Sequence, residues 1–204
     1  MANVNKPMGL SPVNYLSGAR YNGQIRTYYI PATDTNAYAI GDPVATLTNG
    51  ADVNGVSAVV LATAGASNLL RGVLCTLGGT VEGADFGDPT SPYATIIPAT
   101  TTYGYYVGVA DDPGIIFEVQ EFSGTGSTNF TAADIGKGCN LKSGTNNGYV
   151  SGWVLDDTAA SSTSNTRQVR LMGIRRTSDN AFGNYCKFLV MINQHELNFP
   201  SSGV

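Results

Sequence analysis

The stretch YVGVADDPGIIFEVQEF, residues 106–122, decides the fold class of this chain. Apolar, β-branched and aromatic residues lie on both sides of residues 111–114, where Asp, Pro and Gly favour a turn. The pattern predicts two strands joined by this turn as a central hairpin. Because Glu118, Gln120 and Glu121 fall among apolar neighbours, the second strand is predicted to have a solvent-facing side.

The same pattern of short apolar runs and turns continues outward in both directions. Residues 24–31 read as a strand, and residues 185–192 form the most apolar run, which we predict to be central in a sheet. The best helix candidate is a single turn, with Thr131 as its cap and Gly136 as its end. We therefore predict an all-β fold with little helix, a single antiparallel β-sandwich or β-barrel that is jelly-roll-like.

The composition excludes several functional classes. Charged residues make up 13% of the 204 residues, compared with about a quarter in a typical domain. The net charge of −4 offers no basic face for phosphates, so we expect no direct binding to nucleic acid. No apolar run has the length of a signal-peptide core or a membrane span, so we expect a protein made inside a cell without a membrane partner.

The first residues form a segment of a different kind from the rest. Residues 1–25 are polar and interrupted by Pro7 and Pro12, which predicts an extended N-terminal arm before a β-rich domain at 26–197 and a C-terminal tail at 198–204. We expect the arm to bury its apolar anchors on its own domain or on a neighbour. These anchors and one tail residue are the candidate partner-binding residues: Met8, Leu10, Val13, Tyr15, Leu16, Tyr21 and Phe199.

A search for catalytic chemistry finds no recognisable motif. His195 is the only histidine, so a histidine-based triad or a His pair on a metal is not available, and we expect a surface or hydrogen-bonded role for it. The three cysteines are far apart and odd in number, which favours buried free thiols over disulfides or zinc ligands. We predict no catalytic residue, no cofactor and no metal.

Two pairs of adjacent aspartates are the remaining candidates for chemistry. Asp111-Asp112 and Asp156-Asp157 stand before Pro or Thr in predicted turns, where an aspartate commonly caps its own backbone. Calcium bound at either loop is the alternative for these pairs. An enzyme such as a glycan depolymerase would have to use such carboxylates across a cleft.

Tyrosine pairs and one long loop are candidates for surface contacts. In Tyr28-Tyr29 and Tyr105-Tyr106, adjacent side chains point to opposite faces of a strand, so one of each pair is predicted in the core and one on the surface. An exposed row of tyrosines suits a protein interface or a glycan. Residues 78–103 are rich in Gly and Pro and are predicted to form a surface loop.

Five blocks of the sequence resemble tailed-bacteriophage virion proteins, in particular head decoration (capsid cement) proteins. They are VNKPMGLSPVNYLSGARYNGQ at 4–24, GDPV at 41–44, VADDPGIIFEVQE at 109–121, AADIG at 132–136 and FLVMINQHEL at 188–197. The blocks extend along most of the chain, and none of them is a catalytic motif.

The resemblance implies a β-domain that binds the outside of an icosahedral shell. Its partner would be the major capsid protein, with a homo-oligomer, a trimer or else a dimer, at local symmetry axes. The protein would be made in the host bacterial cytoplasm and located on the capsid surface of the virion. The alternative is a tail- or fibre-associated virion protein that binds host carbohydrate.

Overall fold

The regular secondary structure of the computed structural model, which describes residues 3–80, 96–99, 103–159 and 161–198, consists of thirteen short strands and one 3-10 turn. In chain order they are β1 (Ser11–Tyr15), β2 (Arg26–Ile30), β3 (Tyr38–Ala39), β4 (Pro43–Thr46), β5 (Val59–Leu61), β6 (Gly72–Thr80), β7 (Ile96–Ile97), β8 (Tyr105–Ala110), β9 (Ile115–Gln120), β10 (Gly138–Lys142), β11 (Val154–Asp156), β12 (Val169–Ile174) and β13 (Lys187–Ile192). The prediction of an all-β fold is confirmed.

The strands form two main antiparallel sheets and a small ribbon. The six-stranded sheet has the order β1-β9-β13-β12-β10-β11, and the five-stranded sheet has the order β2-β8-β6-β4-β5. Strands β3 and β7 form the ribbon. The five-stranded sheet curls so that its edge strand β2 meets the residues just before its other edge strand, β5. At this contact Tyr29 N donates to Ser57 O at 3.0 Å, and Tyr29 forms a β-bridge with Ala58. The fold thus combines a sandwich with a barrel-like curl.

The prediction that the two strands around residues 111–114 pair as a central hairpin is wrong, because these strands belong to different sheets. β8 pairs with β2 and β6, while β9 pairs with β1 and β13, so both edges of each strand are occupied by other partners. The predicted turn is present, and Asp112 Oδ1 accepts a hydrogen bond from Gly114 N at 2.7 Å. The turn therefore carries the chain from one sheet to the other.

Two hydrophobic cores hold the sheets together. The larger core lies between the sheets and includes Leu10, Phe117, Trp153, Phe188 and Val190. The smaller core lies within the curl of the five-stranded sheet, where the ribbon covers it. Its members include Tyr28, Tyr38, Val44, Ile97 and Val107. Alternating apolar residues on β9 and β13 supply the larger core, as the period-two pattern requires.

The described part of the predicted arm is built into its own domain. Residues 11–15 form the edge strand β1, which pairs with β9, so the six-stranded sheet begins before the predicted domain start at residue 26. Leu10, directly before β1, is only 1% exposed and belongs to the larger core. Of the two locations expected for the arm, the structure has the one on this chain's own domain.

The predicted solvent-facing side of β9 is covered at its end. Gln120 is buried because Lys6 N donates to its Oε1 at 2.8 Å and its Nε2 donates to Asn5 Oδ1 at 3.2 Å. Glu121 is buried under residues 123–130, since Phe130 N donates to its Oε1 at 2.6 Å. Glu118 alone remains near the surface. The prediction of a wet side is therefore wrong for Gln120 and Glu121.

Other local predictions have definite outcomes. β13 lies between β9 and β12 and is central, as predicted. The single helical turn is a 3-10 turn at Ala132–Asp134, in which Thr131 N donates to Asp134 Oδ2 at 2.9 Å and Gly136 has a φ of +90°. Within 78–103, β6 extends to Thr80, and most of the predicted loop lies outside the described residues, as does the tail from residue 199.

Candidate binding surface

The predicted partner-binding residues mostly pack on this chain itself. Four of them are half-buried: Met8, Val13, Tyr15 and Tyr21. The rings of Tyr15 and Tyr21 contact each other with centroids 5.9 Å apart. Leu10 lies inside the core, so its assignment to a partner surface is corrected. Leu16 is 57% exposed and remains accessible, and Phe199 lies outside the described residues.

A close approach of two glycines fixes the N-terminal segment. Leu10 N donates to Gly41 O at 2.9 Å. Gly41 has a φ of +95°, and a Cβ atom at this position would lie 2.3 Å from Met8 O. Gly9 has a φ of +66°, and a Cβ atom there would lie 2.3 Å from Gly41 O. The backbone of residues 8–10 can occupy this site only because both positions lack a side chain.

Each aspartate pair divides into one capping residue and one buried residue. Asp112 caps Gly114, and Asp156 Oδ1 accepts from Thr158 N at 3.2 Å, as the capping prediction requires. Asp111 and Asp157 are instead buried and contact residues far away in the sequence. Adjacent residues of an extended chain point to opposite sides, so each pair places one carboxylate inward and one outward.

Asp111 is the centre of a polar network at the turn between the sheets. Tyr28 OH donates to Asp111 Oδ2 at 2.7 Å, and Arg71 Nε donates to Tyr28 OH at 2.6 Å. Arg71 Nε and Arg26 Nε each lie 3.6 Å from an Asp111 oxygen, and Arg71 Nη1 lies 3.9 Å from Glu196 Oε2. Every charge in this cluster has a partner, so it connects β2, β6 and the C-terminal segment to the turn.

His195 is buried beside this network and does not lie on the surface. Leu197 N donates to His195 Nδ1 at 3.1 Å, which fulfils the expected hydrogen-bonded role. Burial, assisted by the Arg71 cation, lowers the pKa of His195 to about 4. The imidazole is therefore neutral at pH 7, with its proton on Nε2. Its position, closed off from solvent, suits a structural part of the core.

Cysteines and acidic residues do not form a metal centre in the described residues. Cys139 and Cys186 are buried free thiols and Cys75 is half-buried. No group of three or more His, Cys, Asp or Glu side chains comes together within the described ranges. No helix within these ranges has the length and hydrophobicity needed to cross a bilayer.

The outer side of β12 and β13 forms an open apolar groove with cationic borders, which we call the arginine-rimmed face. The groove has a volume of about 690 Å³. Its apolar lining includes Ile135, Met172, Phe182 and Leu189, and its borders include Arg175 and Arg176. Met172 and Phe182 are 37% and 43% exposed. Aliphatic and aromatic side chains are thus available to a partner at the centre of this face.

The charge of this face is opposite to that of the whole chain. Arg170 precedes Met172 by two residues and Lys187 precedes Leu189 by two, so both cations share the face with the groove. Arg175 forms an ion pair with Glu118, with 3.3 Å between Nε and Oε2. A chain with a net charge of −4 therefore presents a surface on which cations outnumber carboxylates.

Sequence reasoning did not find the arginine-rimmed face. The run RLMGIRR at 170–176 contains a weak signal, because Arg170 and Met172 alternate with buried neighbours. Phe182 and Ile135 lie in loops whose position next to β12 and β13 depends on the whole sheet order. No spacing along the chain specifies that convergence.

Comparisons with known proteins identify no relative. No protein family, curated protein or solved structure matches this chain.

Proposed function

We propose that this chain is a bacteriophage virion structural protein that decorates and stabilises the icosahedral capsid by binding the outer face of major capsid protein subunits. The arginine-rimmed face is the observation that carries the proposal, together with the sequence resemblance to head decoration proteins. The docking surface is an open apolar groove, bordered by Arg175 and Arg176, on an otherwise acidic chain. Its partner is an acidic surface with exposed apolar side chains.

The residue types on this face suit an interface. Met, Phe and Arg are enriched at protein interfaces, and Arg and aromatic residues frequently dominate the binding energy. The opposite charges of the face and the acidic partner align the two surfaces and speed their encounter. Each single contact can be weak, because copies arranged as a trimer or dimer on a repetitive shell gain affinity through multivalency.

The N-terminal segment is part of this chain's own sheet and core, so its removal does not test a capsid contact alone. Removing residues 2–23 would delete β1 and extract Leu10 from the core, so such a truncation would damage the fold as well as any capsid contact. Substitutions on the arginine-rimmed face are the cleaner test, because they leave the strands and the core in place.

Met172→Glu is expected to weaken binding to capsid shells by about 10- to 100-fold, since loss of a central contact costs roughly 1.4–2.8 kcal/mol. The new carboxylate would enter the apolar groove and face an acidic partner. Val53→Glu is the matched control, because Val53 is 98% exposed and lies outside the groove. Co-sedimentation with shells assembled from the major capsid protein of the same phage measures both affinities.

The possible outcomes test two claims separately, that the arginine-rimmed face is the docking surface and that the protein binds capsids at all. Normal affinity for Val53→Glu and reduced affinity for Met172→Glu would support both. Equal binding by the two variants would eliminate the arginine-rimmed face as the docking surface. Failure of the unmodified protein to bind shells at any ionic strength would reject capsid decoration itself.

A carbohydrate-binding role in the tail or a fibre is the second candidate. The observation in its favour is the exposure of Tyr149 and Tyr103, at 69% and 44%, because sugars bind to accessible aromatic rings. A glycan array probed with the unmodified protein and with Tyr149→Ala tests this role. Signals that decrease in the variant would favour it, and no signal from either protein would count against it.

A further inference from the structure

Two fully buried carboxylates, Glu121 and Asp157, lie in the larger core region without a cation. Glu121 directly follows β9 and Asp157 directly follows β11, and both are 0% exposed. Neither residue forms an ion pair in the described part of the chain. A buried charge is costly unless it is compensated, so two adjacent negative charges here require an explanation.

Successive backbone amides hold the two carboxylates side by side. Asn129 N donates to Asp157 Oδ2 at 3.2 Å, and Phe130 N donates to Glu121 Oε1 at 2.6 Å. Asn129 has a φ of +51°, a left-handed conformation in which successive N–H groups can point to the same side and bind anions. Because the donors are neighbours in the chain, their two acceptors are brought together.

The second oxygen of each carboxylate has no donor. Glu121 Oε2 and Asp157 Oδ1 are both buried and without a hydrogen-bond partner. Asp134 also acts on Glu121, and Glu121 acts on the thiols of Cys139 and Cys186, none of which supplies positive charge. Arg167 is a cation near Cys139, but it forms no ion pair with Glu121 or Asp157 in the described part of the chain. Lys137 is engaged with Asp134 at 3.2 Å. An ionised carboxylate can only accept hydrogen bonds, so two ionised carboxylates cannot bond to each other. A proton on one of the two unpaired oxygens would let it donate to the other, and both oxygens would then have a partner.

We propose that Glu121 and Asp157 share one proton as a carboxyl–carboxylate pair, which holds residues 123–130 against the sheets and releases them when the proton is lost to solvent. The pair is a pH-sensitive latch that is closed while the shared proton is present. Loss of this proton leaves two adjacent negative charges in the core. Opening of residues 123–130 then exposes both carboxylates to water.

The segment held by the latch has identifiable contacts. Ser127 Oγ donates to Asp157 Oδ2, and Thr128 Oγ1 donates to Asp157 O at 2.7 Å. The ring of Phe130 packs edge-on against Phe188, with centroids 5.8 Å apart. Opening would therefore separate Phe130 from the larger core and release the loop from the end of β11.

The direction of the pH effect follows from the pKa of Glu121. Burial, with the Asp157 charge beside it, raises this pKa from 4.5 to about 8. Between these values the closed state binds a proton that the open state does not, so the closed state is lost as pH rises. His195 has the opposite effect between about 4 and 6.5, because its pKa is lowered on folding. The interval from pH 6.5 to 8 therefore isolates Glu121.

Amide hydrogen exchange of residues 123–130 tests the latch. The opening constant of the unmodified protein is expected to increase about 15-fold from pH 6.5 to pH 8, because the tenfold rise per unit flattens as pH approaches the pKa of the closed state. Glu121→Gln should show no such increase at the same pH values, because its amide Nε2 can donate to Asp157 Oδ1 in place of the shared proton. Measuring both proteins at each pH cancels the intrinsic exchange rates.

Carboxyl ¹³C NMR identifies the proton directly. A resonance that titrates near pH 8, disappears in Glu121→Gln and moves to lower pH in Asp157→Asn would support the proposal, since the asparagine amide donates to Glu121 Oε2 and removes the neighbouring charge. Titration of Glu121 near pH 4.5, or an unchanged opening constant, would overturn it. A rise in the thermal midpoint on adding Ca²⁺ alone would also overturn it, because a metal would then occupy the proton's place.

Discussion

Replacement of Asp111 by alanine is expected to lower the free energy of unfolding by about 3 kcal/mol, because it removes one partner of a buried ionic cluster. The carboxylate is 5% exposed and faces Arg71, which is itself largely buried. Without it, Tyr28 OH loses the acceptor at 2.7 Å, and Arg71 keeps its hydrogen bond to Tyr28 but is left with the more distant Glu196 carboxylate as its ion-pair partner. The turn that connects the two sheets would lose its main attachment to β2 and β6.

The neighbouring aspartate is a matched control for this variant. Asp112→Ala removes one hydrogen bond to Gly114 N in the same turn and is expected to cost about 1 kcal/mol. Urea unfolding of both variants and of Asp111→Asn separates charge from shape, since the asparagine can still accept from Tyr28. Equal losses for Asp111→Ala and Asp112→Ala would mean that the buried network contributes no stability.

Gly41→Ala is expected to have a comparable or larger effect, about 3–5 kcal/mol from a strained positive φ and the loss of Leu10 burial. A Cβ atom would lie 2.3 Å from Met8 O, a distance that the backbone cannot tolerate. Residues 8–10 would have to move outward, and Leu10 would follow them out of the larger core. Urea unfolding gives the free energy, and amide exchange at residues 8–15 reports whether β1 detaches.

Gly18→Ala isolates the strain from the steric conflict. Gly18 has a φ of +93°, nearly that of Gly41, and a Cβ atom there would have nothing within 4 Å. Its expected cost is only about 1 kcal/mol, from the left-handed backbone alone. If Gly41→Ala were no more destabilising than Gly18→Ala, the close approach of Met8 and Gly41 would not be important for the fold.

The period-two pattern was sufficient to predict the fold class but not the connection between sheets. A strand–turn–strand sequence looks the same whether the strands pair with each other or enter opposite sheets, because both arrangements need alternating apolar residues and a turn. The choice here depends on the other partners of β8 and β9, which lie up to about a hundred residues away, and the short-range pattern contains no information on pairings at such separations.

The burial of individual polar residues was the second feature that the sequence did not predict. Gln120 and Glu121 have ordinary polar surroundings along the chain, and only residues 5–6 and 123–130, folded over them, exclude water. The paired aspartates were correctly predicted as caps at Asp112 and Asp156, since that interaction is local. Asp111 and Asp157 bind distant groups, which requires knowledge of the tertiary structure.

The pairing of β1 with β9 has a consequence for synthesis on the ribosome. Ser11 faces Glu118 in this pair, so β1 must wait for roughly a hundred further residues, about 5–20 seconds at an elongation rate of roughly 5–20 residues per second. β9 in turn lacks its other neighbour until β13 is complete near the end of the described chain. The nascent chain therefore carries unpaired strand edges for most of its translation, and its folding should be slow and concentration-sensitive, as non-local β-topologies generally are.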